Sequence, residues 1–520
     1  MVFNSYSFVL MFMPIFLIGI YVKKGNAGKV CDLWIIACSL IFYAFFGINH
    51  LAVFLISIFW NICVAIPLKF MRSSSAHVNL FGKDIAPAKL WMAVGVSGNI
   101  ILLMFFKLWK PIVSAFSGDT SGFFFPIAIS FFTFNQISYI VDLAGGEIEE
   151  FSLRNYLSYI LFFPKLIQGP LMGYTDFRKE MEKVYEFKAE YETILRGLLL
   201  FSIGLFKKVI IADTFSAAVD YGYDNILALG SLEAVLTALF YGFQIYFDFS
   251  GYCDMASAIC MMIGFELPVN FNSPYKAENI VDFWKRWHIT LSKFFTGYLY
   301  IPLGGNRKGK TRTYVNYMIV FLLSGIWHGT GITFIIWGAM HGVLYVVTKA
   351  LGNIGAAAKS EVTDNNLQKI YGDKAVYVGK ASKTCLKNTI NAGILATFIY
   401  VNVAWIFFRA ENVRDAICLI KQMFVGGLKP ISTGLSSCFQ LDELWYVIKI
   451  TPIMNFNFAW DACLWLFVIA AVVMIFFCEN ALVRSRECKI GLSSTLLTAF
   501  LLVWSIVSLG DVSTFLYMNF

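Results

Sequence analysis

Apolar residues along this chain fall into long stretches near residues 5–22, 31–48, 51–68, 90–106, 123–142, 155–172, 194–213, 228–247, 313–327, 331–349, 388–408, 457–478 and 491–509. A helix that crosses a bilayer needs about 20 such residues. Several of these stretches are shorter or carry charge, so the pattern predicts roughly ten to twelve crossings. The polar segments between them are short, and no soluble domain of any size fits. The pattern predicts an all-α, polytopic integral membrane protein forming a single domain over 1–520, with a polar loop at 352–387.

Three places break the regular pattern. Lys207 and Lys208 interrupt one hydrophobic run, and Gly251–Phe265 is too short to span comfortably. At least one segment in that region is therefore expected to be re-entrant, a geometry allowed only where protein or water satisfies the backbone. Within 273–312, Ile280, Phe283, Trp284, Trp287, Leu291, Phe294 and Phe295 recur at spacings of three and four. That period predicts an amphipathic helix lying along or dipping into the interface. Ser273-Pro274 precedes it, and Pro302 with Gly304-Gly305 stops it.

The first apolar stretch follows Met1 with no basic leader and no small-residue cleavage site, so it reads as an uncleaved first span. Lys23, Lys24 and Lys29 follow it, which predicts an outside N-terminus and a cytoplasmic first loop. The basic loop holding Lys69, Arg72, Lys83 and Lys89 agrees after two more crossings. Composition strengthens the membrane reading. Hydrophobic residues make up 58% of the chain and charged residues 14%, against about a quarter charged in soluble globular proteins. The eleven cysteines are odd in number and contain no CxxC pair, so they define neither a disulfide framework nor a metal site. HExxH, dinucleotide-binding GxGxxG and GxSxG motifs are absent.

The net charge of +8 is concentrated. Lys276, Lys285, Arg286, Lys293, Arg307, Lys308, Lys310 and Arg312 stand against only Glu278 and Asp282. Attraction to a cytoplasmic, anionic membrane surface explains this cluster most simply. A docking surface for an acidic donor, with Arg286, Arg307 and Lys308 as candidates, is the alternative. Nothing in the pattern asks for nucleic acid.

Three of the five histidines lie between Asp282 and His341. Ionisable groups inside a membrane are costly and mark function by default. His328 follows an apolar run and precedes Gly329-Thr330-Gly331, where glycines end a helix and let a ligand approach the backbone. A neutral, positioned imidazole there suits a general base for a hydroxyl acceptor. The competing role is a buried histidine bonded to a neighbouring helix. His288 lies one residue beyond the apolar stripe, equally readable as an interfacial aromatic with a polar tip. His341 reads as a structural polar contact. Asp248 and Asp254 either orient a histidine or cap a broken helix, capping being the simpler role.

Several segments together resemble a known family. They are Phe271-Asn272-Ser273-Pro274-Tyr275, Asp282-Phe283-Trp284-Lys285-Arg286-Trp287-His288, Tyr298-Leu299-Tyr300-Ile301-Pro302-Leu303-Gly304-Gly305 and Trp327-His328-Gly329. Phe163-Pro164-Lys165-Leu166-Ile167-Gln168-Gly169-Pro170, the Asp248–Asp254 stretch, Trp405-Ile406-Phe407-Phe408-Arg409 and Phe515-Leu516-Tyr517 join them. The chain resembles the membrane-bound O-acyltransferases (MBOAT), in their bacterial alginate O-acetyltransferase-like branch, over nearly its whole length. Where that branch usually has Arg-Asp before the tyrosine, this chain has Thr296-Gly297 before Tyr298, and Ile332 stands where a tryptophan often follows the WHG motif.

The resemblance implies an MBOAT-like helical bundle in the bacterial inner membrane, thinned at its core. His328 and His288 map onto the family's catalytic histidines, with no metal and no resident cofactor. The implied donor is a cytoplasmic thioester, acetyl-coenzyme A or an acetylated acyl carrier protein. The implied acceptor is a cell-surface polysaccharide, reached directly or through a secreted SGNH-type acyltransferase partner. A rival reading is a transporter or flippase using His328 and the aspartates as a proton relay, although no internal repeat supports it. A scaffold without chemistry is a third.

Overall fold

The computed structural model describes residues 1–23, 28–72, 78–80, 83–116, 124–359, 391–441, 449–451, 459–510 and 513–516. Almost all of these are helical. In chain order the helices are α1 (Met13–Lys23), α2 (Gly28–Ala44), α3 (Ile48–Arg72), α4 (Pro87–Phe116), α5 (Ile129–Gly145), α6 (Leu153–Leu161) and α7 (Phe163–Leu166). Then come α8 (Tyr174–Glu186), α9 (Tyr191–Phe206), α10 (Asp213–Asp224), α11 (Ser231–Met262), α12 (Ile280–Arg286), α13 (Ile289–Phe295) and α14 (Lys310–His328). The last are α15 (Ile332–Lys359), α16 (Ala392–Arg409), α17 (Val413–Val425), α18 (Thr433–Ser437), α19 (Ala459–Phe476), α20 (Ala481–Glu487) and α21 (Leu492–Val507). Two three-residue strands, β1 (Val78–Leu80) and β2 (Lys83–Ile85), pair antiparallel in the loop after α3. They are the small departure from an all-α chain.

Among the described residues five helices, α3, α4, α15, α16 and α19, contain segments long and apolar enough to cross a membrane unaided. α3 shows why. Phe54, Ile58, Asn61, Val64, Ala65 and Leu68 recur on its buried face, while Ile56, Phe59, Ile66 and Phe70 are apolar and exposed. A helix apolar all round suits lipid on one side and protein on the other. Together with the shorter apolar helices over Ser7–Val22 and Leu492–Val507, these define a multi-pass membrane protein. The estimate of ten to twelve crossings exceeds the helices that qualify by length and hydropathy alone. Helices such as α5 and α11 carry many buried polar residues.

Side-chain hydrogen bonds stitch the first helices together. Ser57 Oγ donates to Gln136 Oε1 at 2.7 Å, and Asn61 and Asn99 exchange amide hydrogen bonds at 3.0 and 2.8 Å. Such polar contacts hold membrane helices where apolar attraction between them is weak. They fix α3 against both α4 and α5.

The sequence expectation around residues 190–265 needs correction. Gly251–Phe265 is not an independent short span: through Met262 it is the C-terminal part of α11, an unbroken helix of 32 residues, about 48 Å long at 1.5 Å per residue. Lys207 and Lys208 do not end their helix either. They begin a π-helical turn, Lys207–Ala212, that joins α9 to α10. Both lysines point into protein. Lys207 Nζ pairs with Asp254 Oδ2 at 2.6 Å and Lys208 Nζ with Asp248 Oδ1 at 2.7 Å. Close approach makes these pairs possible, because a Cβ on Gly204 would lie 2.7 Å from the Gly251 carbonyl oxygen.

The amphipathic segment 273–312 is also not one helix. α12 ends at Arg286, His288 adopts a left-handed backbone (φ 44°), and α13 and a π turn over Thr296–Tyr300 follow. Ile280, Phe283, Trp287, Leu291 and Phe295 are all buried, so the apolar stripe persists across the break. In the expected polar loop 352–387, α15 continues to Lys359, and 360–387 lie outside the described residues.

Candidate active site

α14 ends at His328. Gly329 is extended (φ −165°, ψ 159°) and its N–H closes the last turn onto the Gly325 carbonyl. α15 then runs back alongside α14. The two helices touch through glycine, since a Cβ on Gly338 would meet the Phe321 carbonyl oxygen at 2.5 Å and the Gly325 Cα at 3.5 Å. Small residues at a crossing allow backbones this close. The contact sets where His328 lies. Its imidazole is 4% exposed and packs edge-on against Trp327, Trp337 and Phe408, with centroids 4.5, 5.2 and 5.0 Å away.

His328 lines a cavity of about 780 Å³. Gly329, Thr330 and Gly331 form part of its wall, and Lys107, Lys208, Asp213, Asp248 and Arg409 contribute charge. Most of that charge is paired. Lys208 Nζ also meets Asp213 Oδ1 at 2.8 Å, and Arg409 bonds Asp220 Oδ1 at 2.7 Å. The C-terminal segment is tied to the same network. Leu516 N–H donates to Asp248 Oδ2 at 3.0 Å, Ser513 Oγ to Asp213 Oδ2 at 2.6 Å, and Lys208 Nζ to the Thr514 carbonyl at 3.1 Å. Asp248 and Asp254 therefore neither orient a histidine nor cap a helix. They counter buried lysines in the middle of α11. Phe515 packs on Tyr252 at 5.2 Å, while Tyr517 lies outside the described residues.

His288 occupies a separate, closed position. It is 1% exposed and does not line the His328 cavity. Asn270 builds its turn: the side-chain oxygen lies 3.2 Å from His288 Nδ1 and accepts from Thr290 Oγ1 at 2.9 Å, while the backbone oxygen accepts from Ile289 N–H at 3.0 Å. Thr290 Oγ1 in turn accepts from Leu171 N–H at 3.0 Å. The chain just after the Phe163–Pro170 element is thereby joined to the histidine turn. Phe131 packs on both His288 (6.4 Å) and Trp327 (6.1 Å), forming an aromatic bridge between the two histidines.

His341 is fully buried and its Nδ1 accepts from Trp284 Nε1 at 3.3 Å. Trp337 touches both His341 and His328. Of the donor-docking candidates, Arg286 bonds Asp282 Oδ2 at 2.9 Å, and Arg307 and Lys308 are exposed in the turn before α14. None of the three lines the His328 cavity. Among the described residues no cluster of three or more histidine, cysteine or acidic side chains is arranged to hold a metal.

Two residues here escaped the sequence reading. Lys107 interrupts the apolar run Phe105-Phe106-Lys107-Leu108-Trp109, just before Lys110, and so carried a visible signal. Asn270 had no signal, because its partner lies across a turn whose shape the helical period hides.

A multi-pass helical bundle that buries a histidine at the wall of a polar cavity, with a second histidine behind an aromatic bridge, defines a class of membrane enzyme. Residues 90–371 match the membrane-bound O-acyltransferase family, and this chain belongs to it. The chain is 37% identical over 465 residues to the peptidoglycan O-acetyltransferase of Helicobacter pylori, covering 83% of this chain and 81% of that protein. It is 33% identical over 446 residues to the probable alginate O-acetylase AlgI of Pseudomonas aeruginosa, covering 83% and 76%. It is 24% identical over 427 residues to the teichoic acid D-alanyltransferase of Streptococcus thermophilus, covering 78% and 94%. The protein is an O-acyltransferase of the membrane.

Proposed function

We propose that this protein moves an acetyl group from a cytoplasmic thioester to a hydroxyl of a cell-surface polysaccharide, with His328 as general base. The observation that carries the reading is the place of His328: at the end of α14, packed by three aromatic rings, and open to a polar cavity large enough for part of a sugar chain. The identities of the relatives, enzymes named for peptidoglycan and alginate, support acetyl as the group and a polysaccharide as the acceptor.

In this reading the acceptor hydroxyl enters the cavity and gives its proton to His328 as its oxygen bonds to the acyl carbonyl carbon. Such a base contributes about a hundred- to ten-thousand-fold in rate. The tetrahedral intermediate collapses, the carbon–sulfur bond breaks, and the departing thiolate takes the proton back from His328. His288, behind the Phe131–Trp327 bridge, positions the thioester. Acetyl-coenzyme A or an acetylated carrier protein supplies it, drawn to the exposed cations Arg307 and Lys308 and to Arg286. The acceptor is either the polysaccharide itself or a secreted SGNH-type acyltransferase that finishes the transfer.

The positive-inside rule supports a matching orientation in the bacterial inner membrane. Lys23 and Lys29, the α3–α4 loop and the Arg307–Arg312 turn would face the cytoplasm, and the His328 cavity would open outside. α6–α7 and α12–α13 would be re-entrant, within ten to twelve crossings. A proton relay finds less support, because Asp248 and Asp254 are ion-paired with lysines. Purified protein given acetyl-labelled coenzyme A or carrier protein tests the reading. Transfer or hydrolysis that depends on His328 is expected; neither is expected of a transporter or scaffold.

A further inference from the structure

Of the cations that line the His328 cavity, Lys107 has no carboxylate partner among the described residues. We propose that Lys107 is a second catalytic residue, whose ammonium stabilises the negative charge that develops on the acyl carbonyl oxygen during transfer. The proposal rests on the acyl-transfer reading and deepens it.

Lys107 is carried by α4 and is 8% exposed. Its Nζ donates to the carbonyl of Trp327 and lies 5.8 Å from the Trp327 ring centroid. That carbonyl is among the last four of α14, which have no partner within the helix. Lys107 therefore caps the helix that ends in His328, where a cation also complements the helix dipole. Capping occupies one of the three N–H donors of an ammonium.

The charge itself is not accounted for by capping. Among the described residues no carboxylate lies within ion-pair distance of Lys107, whereas the cavity's other cations, Lys208 and Arg409, are both held by aspartates. A buried charge without a counter-charge is expensive. It is useful where an anion forms transiently. Lys107 and His328 line the same cavity, and Lys107 is fastened to the residue adjacent to His328. As the hydroxyl oxygen bonds to the acyl carbon and its proton passes to His328, the carbonyl π pair moves onto oxygen. A second Lys107 N–H donates to that oxyanion. When the pair returns to re-form the carbonyl, the carbon–sulfur bond breaks and the thiolate leaves with the proton from His328. No oxidant or reductant is needed. One preorganised donor of this kind is worth about 10²–10³ in kcat.

Lys107→Gln separates the two roles, because glutamine keeps an N–H for the Trp327 carbonyl but carries no charge. The full-length protein, Lys107→Gln, Lys107→Arg and His328→Ala would each be expressed in the native host lacking its chromosomal copy. The initial rate of base-labile acetate appearing on surface polysaccharide would be measured per folded protein, the folded amount taken from size exclusion in detergent. Lys107→Gln is expected to fall about 100-fold, with Lys107→Arg at least tenfold more active than Lys107→Gln. A Lys107→Gln rate within tenfold of the unmodified protein, or Lys107→Arg no more active than Lys107→Gln, overturns the assignment. If Lys107→Gln stays active while His328→Ala is inactive, only the role of Lys107 fails. If the unmodified protein restores no acetyl ester, the acyl-transfer reading fails and takes this proposal with it.

Discussion

The Nδ1 of His288 lies 3.2 Å from the side-chain oxygen of Asn270. An amide oxygen only accepts, so Nδ1 carries a proton. The same oxygen accepts from Thr290 Oγ1 at 2.9 Å and from Thr290 N–H at 3.3 Å. One amide therefore fixes the Nδ1 proton of the histidine and the left-handed backbone that aims it. Asn270→Ala is expected to strand buried donors at about 1–3 kcal/mol in stability and to slow transfer well beyond the loss of folded protein. Thermal denaturation in detergent, paired with the transfer rate per folded protein, checks both. An unchanged rate would remove His288 from the donor side of the mechanism.

Lys207 and Asp254 form a buried ion pair between the π turn and α11. Removing one partner of such a pair costs about 3–5 kcal/mol, because the other charge stays buried. Lys207→Met should lower the melting temperature strongly. Lys207→Met with Asp254→Leu should recover most of that loss. A double variant no more stable than the single one would mean that the pair is not what holds α9 to α11.

Gly338 lets α15 lie against α14 where His328 is placed. Gly338→Val puts a side chain into the Phe321 carbonyl, and such overpacking costs about 1–3 kcal/mol. The separation of the helices should displace His328 and depress transfer even at temperatures where the protein stays folded. A folded, fully active Gly338→Val protein would show that the crossing does not set the site.

His341 is expected to serve packing rather than chemistry. Its Nδ1 accepts the indole N–H of Trp284, and His341→Leu leaves that donor without an acceptor, at about 1–3 kcal/mol. Stability should drop while the transfer rate per folded protein holds. A rate loss as deep as that of His328→Ala would place His341 in the chemistry instead.

Much of this arrangement was readable in the chain before its fold was known. Apolar length marks α3, α4, α15, α16 and α19 as membrane helices, and the glycines after His328 mark the end of α14. The misreadings share a physical cause. Lys207 and Lys208 look like the end of a hydrophobic run because their partners, Asp254 and Asp248, lie on the next long helix. Gly251–Phe265 looks too short alone because α11 buries polar residues that hydropathy counts against it. The left-handed backbone at His288 interrupts a perfect helical period, since side chains pack on either side of the break as they would along a single helix. Periodicity reports which residues face protein. It does not report which polar residues are answered by a partner, and that is what separates a costly charge from a stable one.

In the proposed mechanism His328 is the base for acyl transfer. The most direct measurement is the base-labile acetate on surface polysaccharide from a strain that carries only His328→Ala, with the protein quantified in the membrane. A loss of about a hundred- to ten-thousand-fold in rate is expected, with membrane abundance and melting temperature close to those of the unmodified protein. Acetate near the unmodified level, from His328→Ala protein present in normal amount, would contradict it.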